Sequence, residues 1–298
     1  MAYTSTNVSC IALLICLSVV LLIVFRQTFD ASNTVLLAFQ SMIRTTDETL
    51  YVMYGERDAT DDEQLFRYIR SMMSRQAPGG RHLSKPSAVH FSQFGGSQFV
   101  DKLLKQRRNG FFVECGGYEG ERYSDTLFFE IRRNWTGILI EPHPMYYYSI
   151  LNKNRNALVL RACLSHRPHP VFVKFRLHGW MSGVSAINKN LKPMYTVEET
   201  DVQCFSLNSI MAAIGVRHID FMVLDVEGSE LPVLETIDWT ELSIDVFSIE
   251  YSDRRGSLRK LDEIRDFFNK TGIGYKEVGT LPLNKSKGAA QDVLFTRV

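Results

Sequence analysis

The chain has 298 residues, of which 45% are hydrophobic, and a formal net charge of +1. That is enough apolar material for one sizeable core, and the absence of a basic excess argues against nucleic acid as a partner. No internal repeat or low-complexity tract is evident.

From the amino terminus, Val8 to Phe25 is an uncharged, strongly apolar run. As a helix it reaches about 27 Å, against a hydrocarbon core of about 30 Å. It predicts a transmembrane signal-anchor within residues 1–26 and a single-pass membrane protein. A cleaved signal peptide is the rival reading. The run exceeds the usual apolar core of about 7 to 15 residues, no basic residue precedes it, and no small-x-small site follows closely. Arg26 and Arg44 follow the span, so charge alone favours a cytosolic carboxyl-terminal domain. Residues 27–94 read as a membrane-proximal stem and linker. Within them, Asp61 to Arg75 spaces Leu65, Phe66, Tyr68, Ile69 and Met72 for a helix with one apolar face, and Pro78-Gly79-Gly80 marks the linker Gln76 to Gln93.

Residues 95–298 read as the main domain. The stretch FFVECGGYEG, Phe111 to Gly120, is an apolar strand that delivers Glu114 and then enters a glycine turn. Gly116, Gly117 and Gly120 let the backbone turn sharply and a ligand approach it, since glycine has no Cβ. A helix is predicted from Arg122 to Arg133, followed by the buried strand Gly137 to Ile140, which ends on Glu141. Further elements follow in order: a helix at Met145–Asn152, a strand at Ala157–Leu160, a helix at Leu207–Ile214, and strands at Ile219–Leu224 and Ile244–Ile249 that end on Asp225 and Glu250. A helix at Leu258–Lys270 and strands at Tyr275–Val278 and Asp292–Arg297 complete a sheet whose continuous apolar strands fit burial on both faces. The long connection Pro170 to Gln203 carries the alternating Val171, Val173, Phe175 and Leu177, and predicts a hairpin over the cofactor mouth.

The spacing of the glycines and the acids selects the cofactor. A dinucleotide fold wants G-x-G-x-x-G to present backbone amides to a pyrophosphate. Here the spacing is G-x-x-x-G, and Glu114 repels phosphate. S-adenosylmethionine has no phosphate and carries a sulfonium and an ammonium, so Glu114, Gly116, Gly117, Gly120 and Glu141 are the candidate cofactor-binding residues, with Glu141 accepting from the ribose hydroxyls. A solvated loop carboxylate is the alternative for either acid. Asp225 and Glu227 are the candidate catalytic carboxylates: Asp225 stands where an acceptor hydroxyl meets the sulfonium, to orient it or to act as general base. Glu227 lies beside a helix start, where an acid also has a purely structural reading. With Asp225 and Glu250 it could bind Mg2+ through oxygen ligands, a less favoured reading.

The stretches FVECGGYEGE, ILIEPHP and DFMVLDVEGSELPVL, in that order, resemble the FkbM-type methyltransferase domain over about two thirds of the chain, Gly95 to Val298. The resemblance implies a Rossmann-like, seven-stranded class I S-adenosylmethionine-dependent methyltransferase fold, usually acting on oxygen. Val223 stands where bacterial members commonly have a lysine, which puts activity in doubt. ECGGYEGE, RACLS, DVQCFSLNSI and QDVLFTRV look like the Star group of animal membrane proteins, implying a lumenal domain of type II topology. The group's role is escort of membrane cargo, of the EGF-receptor-ligand type, from endoplasmic reticulum to Golgi and endosomes. The sequons at Asn134, Asn269 and Asn284 permit glycosylation there. In such a compartment Cys163 and Cys204 form a candidate disulfide, with buried thiols as the alternative.

Overall fold

Apolar strands and one-faced helices alternate along most of the chain, a pattern that stacks into a sheet with helices on both sides. The fold is taken from a computed structural model, which describes residues 62–177, 182–184, 198–251, 258–282 and 291–298. The expected anchor Val8–Phe25 lies outside the described residues. Among these, no helix is long and apolar enough to cross a membrane.

In chain order the elements begin with α1 (Glu63–Met72), β1 (Met73–Ser74), α2 (Gly96–Leu103), β2 (Phe111–Cys115), α3 (Leu127–Arg132) and β3 (Thr136–Ile140). There follow α4 (Pro144–Lys153), β4 (Leu158–Leu160), β5 (Cys163–Leu164), β6 (Val171–Leu177), β7 (Gly183–Val184) and β8 (Glu198–Phe205). The chain closes with α5 (Leu207–Ala213), β9 (His218–Leu224), α6 (Glu230–Leu234), β10 (Ser243–Glu250), α7 (Arg259–Thr271), β11 (Tyr275–Leu281) and β12 (Asp292–Arg297).

The main sheet has eight strands in the order β1-β4-β3-β2-β9-β10-β12-β11. The run from β4 to β10 is parallel, while β1, β12 and β11 are antiparallel to their neighbours. The expected count of seven is one short, because two residues after α1 add an edge to β4. The central strands are buried on both faces: Phe112, Val113, Ile138, Leu139, Phe221, Met222, Val246 and Phe247 are all inaccessible. Burying one such side chain contributes roughly 1.5 to 3 kcal/mol, so these strands fix the register of the sheet.

A second sheet of four strands, β5-β8-β6-β7, is built from the long connection. Where a simple hairpin is expected, β6 is flanked on one edge by β7 and on the other by β8, with which it pairs antiparallel from Val171 opposite Cys204 to Leu177 opposite Glu198. Cys163 on β5 lies opposite Cys204 on β8, and the two are joined in a disulfide with Cα atoms 4.3 Å apart.

Two expectations shift. The region assigned to a stem is partly integral to the domain: Asp62 caps α1, Leu65 and Ile69 are buried, Arg70 donates 2.9 Å to the carbonyl of Ala213 at the end of α5, and Met73 pairs with Leu160. The helix expected from Arg122 starts only at Leu127, because Ser124, Asp125 and Thr126 turn their donors toward Glu114 instead of forming a helical turn.

Candidate functional site

The chain runs from β2 outward through β3 to β4 and later returns to β9 on the other side of β2, so a crevice opens where β2, β3 and β9 end. The backbones there converge tightly. Gly116 donates 3.3 Å to the carbonyl of Ile140, and Asp225 donates 3.3 Å to that of Cys115. Gly116 has φ +82°, and a Cβ on it would stand 2.2 Å from the carbonyl oxygen of Asp225, so glycine is obligatory at this crossing. Gly117 meets no such crowding: its nearest neighbours would be side-chain atoms 3.7 Å or more away.

The crevice has two lobes that share Gly116, Tyr118, Asp225 and Glu227. The smaller lobe, about 60 Å3, is floored by Glu141 and walled by Pro142, Tyr146, Leu164, Phe175 and Val184. The second sheet thus covers the Glu141 side of the crevice. The larger lobe, about 320 Å3, continues past Glu114, Gly117 and Asp125 to Glu250 and Asp292, with Gln93 and Phe94 contributed by the linker.

The carboxylates differ in what their surroundings do to them. Burial pushes Glu141 up to about 8, against the opposing pull of the backbone amides of His143 and Tyr118. The His143 amide donates to it at 2.9 Å. Asp225 is held well above the usual carboxylate range by burial first, then by the charges of Glu250, Glu227 and Asp292. Burial likewise raises Asp125 and Glu250 to about 7, in the second case against the attraction of Lys260. Such a concentration of acids that resist ionisation marks a site awaiting positive charge or hydrogen-bond donors.

Not every expected residue faces the crevice equally. Glu114 borders the larger lobe, but its oxygens accept from Ser124 Oγ at 2.9 Å, the Asp125 amide at 2.9 Å, Thr126 Oγ1 at 2.6 Å and Arg155 at 3.3 Å. Its carboxylate is occupied with shaping the loop after β2. Gly120 borders neither lobe: it turns the chain at φ +80° against Ile150, and its carbonyl accepts from Arg155 at 3.0 Å. Glu227 borders both lobes, from a left-handed turn with φ +53°. Glu230 accepts from the amides of Val226 and Gly228 and thereby braces the loop that carries Asp225 and Glu227.

The carboxylates that come together as a candidate cation cluster are Asp225, Glu230 and Glu250, within 4.8 Å of one another, rather than the trio with Glu227. Lys260 already contributes a cation there, 2.7 Å from Glu230 and 3.3 Å from Glu250. Burial alone would lower its pKa, yet the charges of Glu230 and Glu250 raise it. The ammonium thus already places one positive charge among these acids.

Three participants escape a reading by motif. Arg155, with a side chain exposed 0%, ties Glu114, Glu130, Ser124, Thr126 and the Gly120 carbonyl together. Its setting, Asn154-Arg155-Asn156 between a helix and a strand, reads as a polar loop. Asp125 lies outside every motif, and although Asp292 falls in QDVLFTRV, only the register of Glu250 opposite Asp292 on β10 and β12 places it at the crevice.

The fold and crevice define the class: an α/β protein of the methyltransferase type, with a mixed sheet and a cofactor cleft at the switch point. The sequence profile of the methyltransferase FkbM domain matches residues 114–277, more than half of the 298. The chain therefore belongs to the FkbM methyltransferase domain family. No curated protein matches it. Among solved structures, a methyltransferase FkbM from Methylobacillus flagellatus KT is 14% identical, with a TM-score of 0.40, over 63% of this chain and 43% of that one. This chain thus spans less than half the length of that relative. Human methyltransferase 10 domain containing protein is 10% identical, with a TM-score of 0.37, over 80% and 97% of the two chains. TYW2 of M. jannaschii in complex with AdoMet is 15% identical, with a TM-score of 0.32, over 71% and 80%. The family match supports S-adenosylmethionine as the cofactor.

The residues fit that cofactor. Ser229 Oγ is buried at the smaller lobe with no hydrogen-bond partner among the described residues, and Glu141 on the same lobe has lone pairs directed by only two amides. Gly117 leaves open the space a Cβ would fill. The shared wall is acidic, which suits a cation and repels a pyrophosphate.

Proposed function

We propose that this chain is a membrane-anchored S-adenosylmethionine-dependent methyltransferase that acts on a hydroxyl group. The observation that carries the reading is the convergence of Gly116, Glu141 and Asp225 on one crevice at the switch point of the sheet. When bound, S-adenosylmethionine supplies an electrophilic methyl group on a positively charged sulfur, so that transfer breaks a sulfur–carbon bond and makes an oxygen–carbon bond. Glu141 holds the ribose hydroxyls, and the apolar wall of Leu164, Phe175 and Val184 excludes water from the adenine side. Gly116 and Gly117 let the backbone come close to the methionine end. Asp225 orients the acceptor hydroxyl and receives its proton; a nearby positive charge favours its ionised form, which burial and the neighbouring acids disfavour. Glu227 flanks it and adds to the negative potential.

The Val8–Phe25 run anchors the protein in a membrane of the secretory pathway, with the domain in the lumen. The Cys163–Cys204 disulfide supports this placement, since such bonds persist in oxidising compartments. Incubation of the full-length protein with methyl-labelled S-adenosylmethionine and a secretory-membrane extract tests the activity. The reading expects label in acceptors that is lost in Asp225→Asn; equal labelling by wild type and variant would overturn the assigned role.

A second reading has one observation in its favour. Val223 borders the larger lobe in place of the lysine common in bacterial relatives. In that reading the domain escorts membrane cargo from endoplasmic reticulum to Golgi and endosomes, with weak catalysis or none.

A further inference from the structure

The larger lobe extends well beyond the residues assigned to the cofactor, and its far wall is built by two antiparallel strands. Ser248 and Glu250 lie two residues apart on β10 and so share a face, and Asp292 on β12 is the register partner of Glu250. Carboxylates directly opposite on such a pair are about 4.5 to 5.5 Å apart at Cβ and repel each other; Lys260 reaches Glu250 at 3.3 Å, and among the described residues no ion pair is formed by Asp292. Ser248 is 2% exposed, and its hydroxyl, bordering the same lobe, has no hydrogen-bond partner among the described residues. A buried hydroxyl left in that state is costly, and a hydrogen bond from a bound ligand relieves it.

Charge narrows the ligand. Among the described residues, the lobe is bordered by Glu114, Asp125, Asp225, Glu227, Glu250 and Asp292, and by one basic side chain, Arg122. The adjoining Lys260 shows which cation the acids suit: its ammonium is held 2.7 Å from Glu230 and 3.3 Å from Glu250.

We propose that the wall formed by Ser248, Glu250 and Asp292 seats an ammonium group of the methyl acceptor, so that the substrate class is a hydroxyl compound that also carries a basic nitrogen. The inference rests on the methyltransferase reading of the crevice and adds the identity of the group that the acceptor presents opposite its reacting hydroxyl. Asp292 and Ser248 are specificity residues here, while Glu141 and Gly117 answer to the cofactor.

The test uses full-length protein and ligand-observed nuclear magnetic resonance, with 2-aminoethanol as probe and ethylene glycol as its neutral counterpart. Titrations run with and without saturating S-adenosylhomocysteine, so that the cofactor's own amino group is already in place in one arm. The expected result is saturable binding of 2-aminoethanol in both arms, no binding of ethylene glycol, and roughly tenfold weaker 2-aminoethanol binding in Asp292→Asn and Ser248→Ala, the loss of one charge-assisted contact. S-adenosylhomocysteine affinity should stay within about twofold in both variants, which also reports that they fold. Equal binding of the glycol, absence of 2-aminoethanol binding in either arm, or its displacement by S-adenosylhomocysteine or by Mg2+ would overturn the proposal. Failure of wild type to bind S-adenosylhomocysteine would instead count against the methyltransferase reading.

Discussion

Glu141 shows how one side chain carries both a stability cost and a function. Its carboxyl ordinarily titrates at 4.5 and in the fold at about 8, so the folded chain holds the proton more tightly than the unfolded one. Stability is therefore lost as pH rises from the ordinary value through 8. Glu141→Gln removes that loss: the variant should match wild type near pH 5 and exceed it near pH 8.5 by a few kcal/mol in chemical denaturation, while losing cofactor affinity. No growth of the difference with pH would show that the carboxyl is not buried as described. Two neighbouring glycines make opposite predictions. Gly116→Ala forces a Cβ into the Asp225 carbonyl and should unfold or severely destabilise the domain, whereas Gly117→Ala should fold with near-normal melting and bind cofactor more weakly. Equal melting temperatures for the pair would contradict the close crossing of β2 and β9.

At the scale of elements, the loop after β2 is held by a buried arginine rather than by glycine alone. Arg155→Leu strands Glu114 and Glu130 without their shared cation, although Arg81 still reaches Glu130. Removing one partner of a buried ion network costs about 3 to 5 kcal/mol, so a comparable drop is expected in urea denaturation, with cofactor binding weakened in step. The second sheet depends on its disulfide. Breaking it with Cys204→Ser, across a sequence separation of 41 residues, should cost about 2 to 5 kcal/mol and loosen the wall over Glu141. These elements differ in how far they could be read in advance. The strands ending at Glu114, Glu141, Asp225 and Glu250 were legible because a buried parallel strand leaves a continuous apolar run with an acid at its exit. Strand β6 was legible from the alternation of Val171, Val173, Phe175 and Leu177. Arg155 and Asp292 were not, since their importance comes from long-range pairing that no local period records. Nor was the displaced start of α3, where the Ser124 and Thr126 hydroxyls and the Asp125 amide bond Glu114 and Ser124 Oγ takes the amides of Thr126 and Leu127. At the exit of a strand Glu114 reads as a ligand contact, whereas its bonds to Ser124, Thr126 and Arg155 show only once the loop is folded back on it.

For the whole molecule, the described residues form an FkbM-type domain whose crevice is acidic on one side and apolar on the other, while the chain as a whole is nearly neutral. The proposed lumenal placement predicts modification at Asn134 and Asn269, both exposed. Endoglycosidase treatment of the full-length protein from secretory membranes should raise its gel mobility, and Asn134→Gln with Asn269→Gln should reduce that shift; unmodified protein at every sequon would favour a cytosolic domain. The central claim is that the crevice is a working S-adenosylmethionine site, and calorimetric titration of S-adenosylmethionine into the full-length wild type and Glu141→Ala tests it most directly. Saturable one-site binding that disappears in a folded variant is the predicted result, and a folded wild type that takes up no cofactor would contradict it and leave the escort reading in its place.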